Sequence, residues 1–209
     1  SEFAVARFNV NGILDPTFGG DGRVTLSFTA PGDDVGSGIA VQSDGKILVV
    51  GTTDDMSATW FGVARFTFNG ILDPTFAGDG ALISRSSSTG DDMGSGIAVQ
   101  SDGKIVVVGS SDDGSGKWRF VVARFNIDGS FPDPVGSFGK AITSFSTGDD
   151  IGSGIAVQSD DRIVVVGTAN DGSGDSDFAV ARYPADLSLA GGGGGSGGGG
   201  GCFIATVAY

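Results

Sequence analysis

An arginine recurs inside otherwise apolar, strand-like segments: Arg7 in AVARF, Arg65 in GVARF, Arg124 in VVARF and Arg182 in AVARY. An aspartate from an LDP or PDP loop follows three of them, at Asp15, Asp73 and Asp133. A guanidinium among apolar neighbours needs a carboxylate or several carbonyls to offset its desolvation. Two readings are open. The pair is either a structural latch tying the strand to the next loop or part of an arginine ring that binds an anionic ligand. Arg182 departs from the pattern because YPADLSLA replaces the LDPTF loop, which leaves Asp186 as its nearby carboxylate.

Carboxylates also gather in pairs at Asp33 and Asp34, Asp91 and Asp92, and Asp149 and Asp150. The densest loop carries Asp171, Ser173, Asp175 and Asp177, spaced by two like the oxygen ligands of a Ca²⁺ loop, without the terminal bidentate Glu of a helix-loop-helix site. The competing reading is a solvated turn rich in Asp, Gly and Ser. Ca²⁺ is the one cofactor these residues point to. There is no His, and the single cysteine, Cys202, lies beyond a glycine run, so no nucleophile-base pair is visible. Paired carboxylates hydrolyse glycosides only at defined separations, which spacing along a chain does not reveal. The chain reads as a non-enzyme, with no catalytic residue to assign.

These residues are positioned by a repeat. GSGIAVQSDGKI at 36–47 returns at 94–105 and, as GSGIAVQSDDRI, at 152–163, a period of 58, while the arginines are separated by 58, 59 and 58 residues. A fixed period denotes one supersecondary unit that buries its apolar faces against copies of itself. The organisation reads as a leading strand (1–10), repeats at 11–68, 69–126 and 127–186, a Gly-rich linker (187–201) and an apolar strand (202–209). Each repeat parses into four β segments, in the first RVTLSF (23–28), GIAVQ (38–42), KILVVG (46–51) and FGVARFTF (61–68), with Ser43-Asp44-Gly45 as a hairpin turn. ILVV and IVVV are apolar on both faces, as a strand covered on both sides must be. No helical period is present. The expected fold is all-β: tandem four-stranded antiparallel blades, propeller-like. Three units are fewer than the four to eight of closed propellers, so the array is open or is completed by further residues or another chain.

With a net charge of −13 and a sequence pI near 4.1, the surface repels phosphate backbones and anionic lipid, which argues against nucleic-acid partners. The apolar runs are too short to insert in a bilayer. One cysteine permits no intrachain disulfide. The chain opens inside a strand motif without a leading Met, as a processed or trimmed product would.

VARF, NGILDPTFGGDG, GSGIAVQSDGKI and the VVVG strand, over roughly residues 3–183, resemble the delta-60 repeat family of large secreted or surface proteins. The resemblance implies a propeller-like fold, an extracellular or cell-surface location and no catalytic residues. The glycine run followed by CFIATVAY resembles the C-terminal CFI-box of envelope and exported proteins, with Val207 as the one departure within the eight positions. Sorting, cleavage or attachment through Cys202 are the roles it implies.

Residues 191–201 hold ten Gly and one Ser, a flexible tether with a root-mean-square span of roughly 18 Å. Beyond it, Cys202, Phe203, Ile204, Val207 and Tyr209 form an apolar strand that either folds back on its own array or adds to the sheet edge of a neighbouring chain. Repeated head-to-tail addition that does not close gives a filament. The expected function is therefore a non-enzymatic extracellular structural protein, a homo-oligomer or polymer joined by this strand. A surface module for glycan- or Ca²⁺-dependent adhesion is the alternative, and a hydrolase or lyase using the acidic face is the most distant reading.

Overall fold

In a computed structural model, the described residues are 1–29, 31–85, 90–132, 139–170 and 175–187, and they form thirteen strands and no helix. Two sheets have four strands. One holds β3 (Asp34–Val41), β4 (Ile47–Asp54), β5 (Thr59–Phe66) and β6 (Ala81–Ser84), and the other β7 (Asp92–Val99), β8 (Ile105–Asp112), β9 (Trp118–Phe125) and β10 (Lys140–Thr143). A three-stranded sheet follows, with β11 (Asp150–Val157), β12 (Ile163–Asn170) and β13 (Ser176–Tyr183). At the other end β1 (Phe3–Ala6) pairs only with β2 (Arg23–Leu26) among the described strands. All pairings are antiparallel.

The sheets are offset from the sequence repeats. RVTL reads as the first strand of the unit that continues with GIAVQ, yet it pairs backwards, with Phe3 opposite Leu26 and Ala6 opposite Arg23. β6 and β10 likewise lie on β5 and β9 of the preceding repeat. The cause is the connecting loop, which folds back on the strand it leaves. Arg7, Arg65 and Arg124 donate their backbone N–H to the carbonyls of Gly22, Gly80 and Gly139 at 3.0, 2.9 and 2.7 Å, so the chain returns alongside the strand just completed.

The middle strands behave as their composition requires. Ile47 to Gly51 of β4 are all buried, because this strand has a neighbour on each edge and a sheet on each face. The Ser-Asp-Gly turn before it is closed by Gly45 N–H to Gln42 O at 2.9 Å, with Gly45 at φ 83°. Asp161 occupies the same place in the third repeat at φ 63°, where a side chain is strained. Its carboxylate holds the preceding repeat, accepting from the Ser101 N–H at 2.8 Å and from the Ser101 hydroxyl.

Two contacts interlock successive sheets. The rings of Phe3, Phe61 and Phe120 point at Gly51, Gly109 and Gly167 of the next sheet, where an added Cβ would lie 2.7, 2.6 and 2.6 Å from a ring atom. The carbonyls of Gly51 and Gly109 in turn lie over Gly94 and Gly152, where a Cβ would approach them to 2.4 and 2.6 Å. Each GSG segment also carries a register shift, between Gly36 and Gly38, Gly94 and Gly96, and Gly152 and Gly154. Gly36 is the exception: a Cβ there meets only the Phe3 ring, at an ordinary 3.6 Å.

Gly94→Ala and Gly152→Ala should therefore destabilise the fold by about 1–3 kcal/mol, the usual penalty of overpacking. Gly36→Ala should leave the melting temperature nearly unchanged. Thermal melts of the monomeric chain check both, and equal losses at all three positions would contradict this account of the stacking.

Candidate functional site

Arg65 projects from β5 at 3% exposure, and the loop that follows delivers its partners. Nε donates to Asp73 Oδ2 at 2.8 Å and one terminal nitrogen to Thr75 Oγ1 at 2.9 Å. The other terminal nitrogen donates to the carbonyl of Ile127, just past β9 of the next sheet. The guanidinium carbon lies 5.0 Å from the centre of the Phe76 ring. Arg7 repeats the arrangement with Asp15 (3.0 Å), Thr17 (2.7 Å) and the carbonyl of Phe68. Each of these arginines thus binds its own loop and the next sheet at once, with all three guanidinium nitrogens engaged.

Asp73 is 3% exposed and sits between Arg65 and Lys46, whose Nζ lies 3.1 Å from Oδ2. Burial pushes its carboxyl upward. The Thr75 hydroxyl and backbone N–H, Lys46 and Arg65 outweigh burial and hold the carboxyl well below the usual carboxylate range. Thr17 and then Arg7 hold Asp15 down in the same way.

The third and fourth arginines differ. Nε of Arg124 donates to Gln100 Oε1 at 2.7 Å and a terminal nitrogen lies 3.7 Å from Asp102, both from the hairpin between β7 and β8. Asp133 lies outside the described residues. Gln100 passes the contact on, donating to the carbonyls of Asp161 and Ala185 at 2.9 and 2.8 Å. Arg182 stands opposite Val164 in the β12–β13 ladder and is half-buried.

The paired aspartates divide into two roles. Asp34, Asp92 and Asp150 are at most 1% exposed, and Asp34 and Asp150 accept the N–H of Phe28 and Phe145 at 2.9 and 2.8 Å. Asp91 and Asp149 accept the N–H that opens the last long strand of the preceding sheet, Thr59 and Trp118, at 2.8 and 3.1 Å. Asp33 holds the Ser1 ammonium at the equivalent place. These carboxylates join sheets. Among the described residues no three His, Cys, Asp or Glu side chains assemble to hold a metal ion. Asp175 and Asp177 are exposed at the start of β13, and Asp171 lies outside the described residues, as do Cys202, Phe203, Ile204, Val207 and Tyr209.

On the first and last described sheets, apolar positions that the inner sheets bury are exposed. Ile39 is 58% exposed, whereas its counterpart Ile97 is 7% exposed under β4. Phe178 of β13 is 61% exposed, whereas Phe3, Phe61 and Phe120 at the same place are at most 1%. A groove of about 230 Å³ runs along β1 over Gly36–Ile39 and Val49. The sequence carried one unread signal for the latch, the Thr that recurs in LDPTF at 17 and 75. It carried none for the groove, which depends on which strand lies beside which.

Three segments, residues 42–76, 100–131 and 158–189, match the model of a family described as a domain of unknown function (DUF5122), beta-propeller. Each match covers the hairpin turn, the Ile/Val-rich middle strand, the arginine strand and the loop after it, so a propeller repeat recurs in each period of the chain. No curated protein matches the chain.

Arg65→Met and Asp73→Leu should each destabilise the fold by about 3–5 kcal/mol, because either change alone strands a buried charge. The double variant should lose much less than the sum, and additive losses in a chemical-denaturation cycle would refute the latch. Because the folded state depresses the Asp73 carboxyl, its contribution is complete above about pH 4 and is lost as pH falls below that. Asp73→Asn should flatten the acid limb of stability against pH.

Proposed function

We propose that the chain is a non-enzymatic structural protein of the cell exterior whose propeller-like stacks join head to tail into a filament or matrix. The observation that carries the reading is the contrast between ends and interior: Ile39 at 58% against Ile97 at 7%, and Phe178 at 61% against Phe120 at 0%. Among the described residues, apolar positions that the internal sheets bury are exposed on the first and last sheets, and exposed apolar patches of this kind mark interaction sites. Identical end-to-end contacts that do not close build an open polymer.

Two resemblances support an exterior location, the delta-60 repeat over the array and the CFI-box at 202–209. The glycine run suits a tether, and Phe203, Ile204, Thr206, Val207 and Tyr209 are strong strand formers that need cover. The buried arginines are engaged by protein atoms, which makes them poor candidates for a ligand ring.

Sedimentation velocity over a hundredfold range of concentration tests the reading. The whole chain should shift from monomer to long assemblies, whereas a chain lacking 202–209 should stay monomeric with an unchanged far-ultraviolet circular dichroism spectrum. A whole chain that stays monomeric at the highest concentration overturns it.

A further inference from the structure

We propose that the rim carrying the turns after β1, β5 and β9 is a lateral joint, which pairs with the same rim of a second copy lying alongside. The proposal rests on the head-to-tail reading above and adds the contact that gathers filaments into a matrix. Tight turns are ordinarily polar at their tips. Here the tips are apolar in every period: Val10, Phe68 and Ile127 are 101, 59 and 54% exposed, and Ile13 and Ile71 are 64 and 67% exposed. Phe68 and Ile71 belong to the middle of the described array and have sheets on either side, so their exposure is a property of the rim itself.

The tips form one continuous and pre-ordered row. A backbone bond closes each turn, Asn9 N–H to Ile13 O at 2.8 Å, Thr67 N–H to Ile71 O at 2.7 Å and Asn126 N–H to Ser130 O at 2.8 Å. Successive turns are tied through the loops between them, where Gly19 N–H donates to Asn69 O at 2.9 Å and Ala77 N–H to Asp128 O at 2.8 Å. Phe68 and Ile127 also lie against the hairpin glycines of their own sheets, so that a Cβ on Gly45 or Gly103 would come within 3.3 or 3.0 Å of them. A surface held this firmly loses little freedom when it is covered.

Charge identifies the occupant. The chain carries −13 overall, and its acid is unevenly placed. The opposite rim holds the paired aspartates together with the Asp54-Asp55 and Asp112-Asp113 turns, and there Arg119 is shared between Asp113 and Asp150 at 3.2 and 3.9 Å. Two such rims repel. On the apolar rim each hairpin carboxylate has a cation two residues on: Asp44 with Lys46 at 3.6 Å, Asp102 with Lys104, and Asp160 with Arg162 at 3.3 Å. A two-fold contact needs a patch that complements itself, and alternating signs beside apolar tips do so, since the Asp of one copy can face the Lys or Arg of the other. With the axis near the middle turn, Ile71 meets its own counterpart and Ile13 meets Ile127. A handful of tips makes a weak contact between single chains, because specific interfaces use about 20–30 residues a side. Repetition along a filament supplies the avidity.

Electron microscopy of the full chain at assembling concentrations tests the joint. The unaltered chain should give filaments paired side by side. Ile13→Asp combined with Ile71→Asp should give single filaments of unchanged length, with at least tenfold fewer paired segments and an unchanged monomer melt. A second arm uses full-length Cys202→Ser chains carrying either Ile71→Cys or Met56→Cys under oxidised glutathione, Met56 being 73% exposed on the acidic rim. Ile71→Cys should form interchain disulfides at least tenfold faster than Met56→Cys. Pairing that persists in the Asp variant, equal disulfide rates, or unaltered filaments that lie singly refute the rim joint and leave the head-to-tail reading standing. Absence of any filament from the unaltered chain overturns the head-to-tail reading and this joint with it.

Discussion

The contact on which the array depends is a phenylalanine ring set against a glycine of the next sheet. Phe3, Phe61 and Phe120 each meet Gly51, Gly109 and Gly167 so closely that no Cβ fits between them. Sheets with side chains at both places would stand further apart, and the buried valines of β4, β8 and β12 would lose contacts that fall off steeply with distance. Around this contact the three apolar clusters form, each drawing on two neighbouring sheets, as Phe3 and Val49 do in the first and Phe61 and Ile105 in the second. The close spacing of the sheets follows from it.

The arginines act on the same joint from its polar side. A buried ion pair is rarely a net source of stability against an apolar isostere, but breaking one is costly. Arg65 reaches Asp73 and Thr75 in its own loop and the carbonyl of Ile127 just past β9 of the next sheet, so its geometry can be satisfied only when two sheets sit in the right relation. Asp91 and Asp149 do the same at the opposite rim by accepting Thr59 and Trp118 N–H. Apolar contacts bring the sheets together, and these directional bonds define their relative position.

Much of the fold is legible in the sequence because its causes are local or periodic. ILVV of β4 and IVVV of β8 announce doubly covered strands, while the IVVV of β12 is fully buried on one face alone, Ser-Asp-Gly announces a hairpin, and the period of 58 announces stacking. The pairing of RVTL with the strand before it is not legible, because its short alternating pattern suits either neighbour and the choice is made by the Arg7 to Gly22 bond. The GSG segment falls largely outside the strand read at 38–42, yet it is bulged strand, and Gly94 and Gly152 in it make room for a carbonyl of the preceding sheet. The paired aspartates read as solvated acidic turns, yet one of each pair is buried, and the N–H groups that claim Asp34 and Asp150 come from Phe28 and Phe145, beside short strands that the offset assigns to the preceding sheet. The groove is the least legible feature of all: it is made of ordinary strand residues and differs from the interior only in what lies beside them.

The offset between sheet and repeat has a consequence for how such chains change length. A duplication or deletion of one 58-residue period adds or removes a whole sheet between the termini, because the short strand leaving one copy always finds the long strand of the copy before it. The neighbouring sheets keep their own strand complement whatever the copy number. Growth by unequal recombination thus leaves every sheet complete, and each added period brings its own joint to the sheet before it.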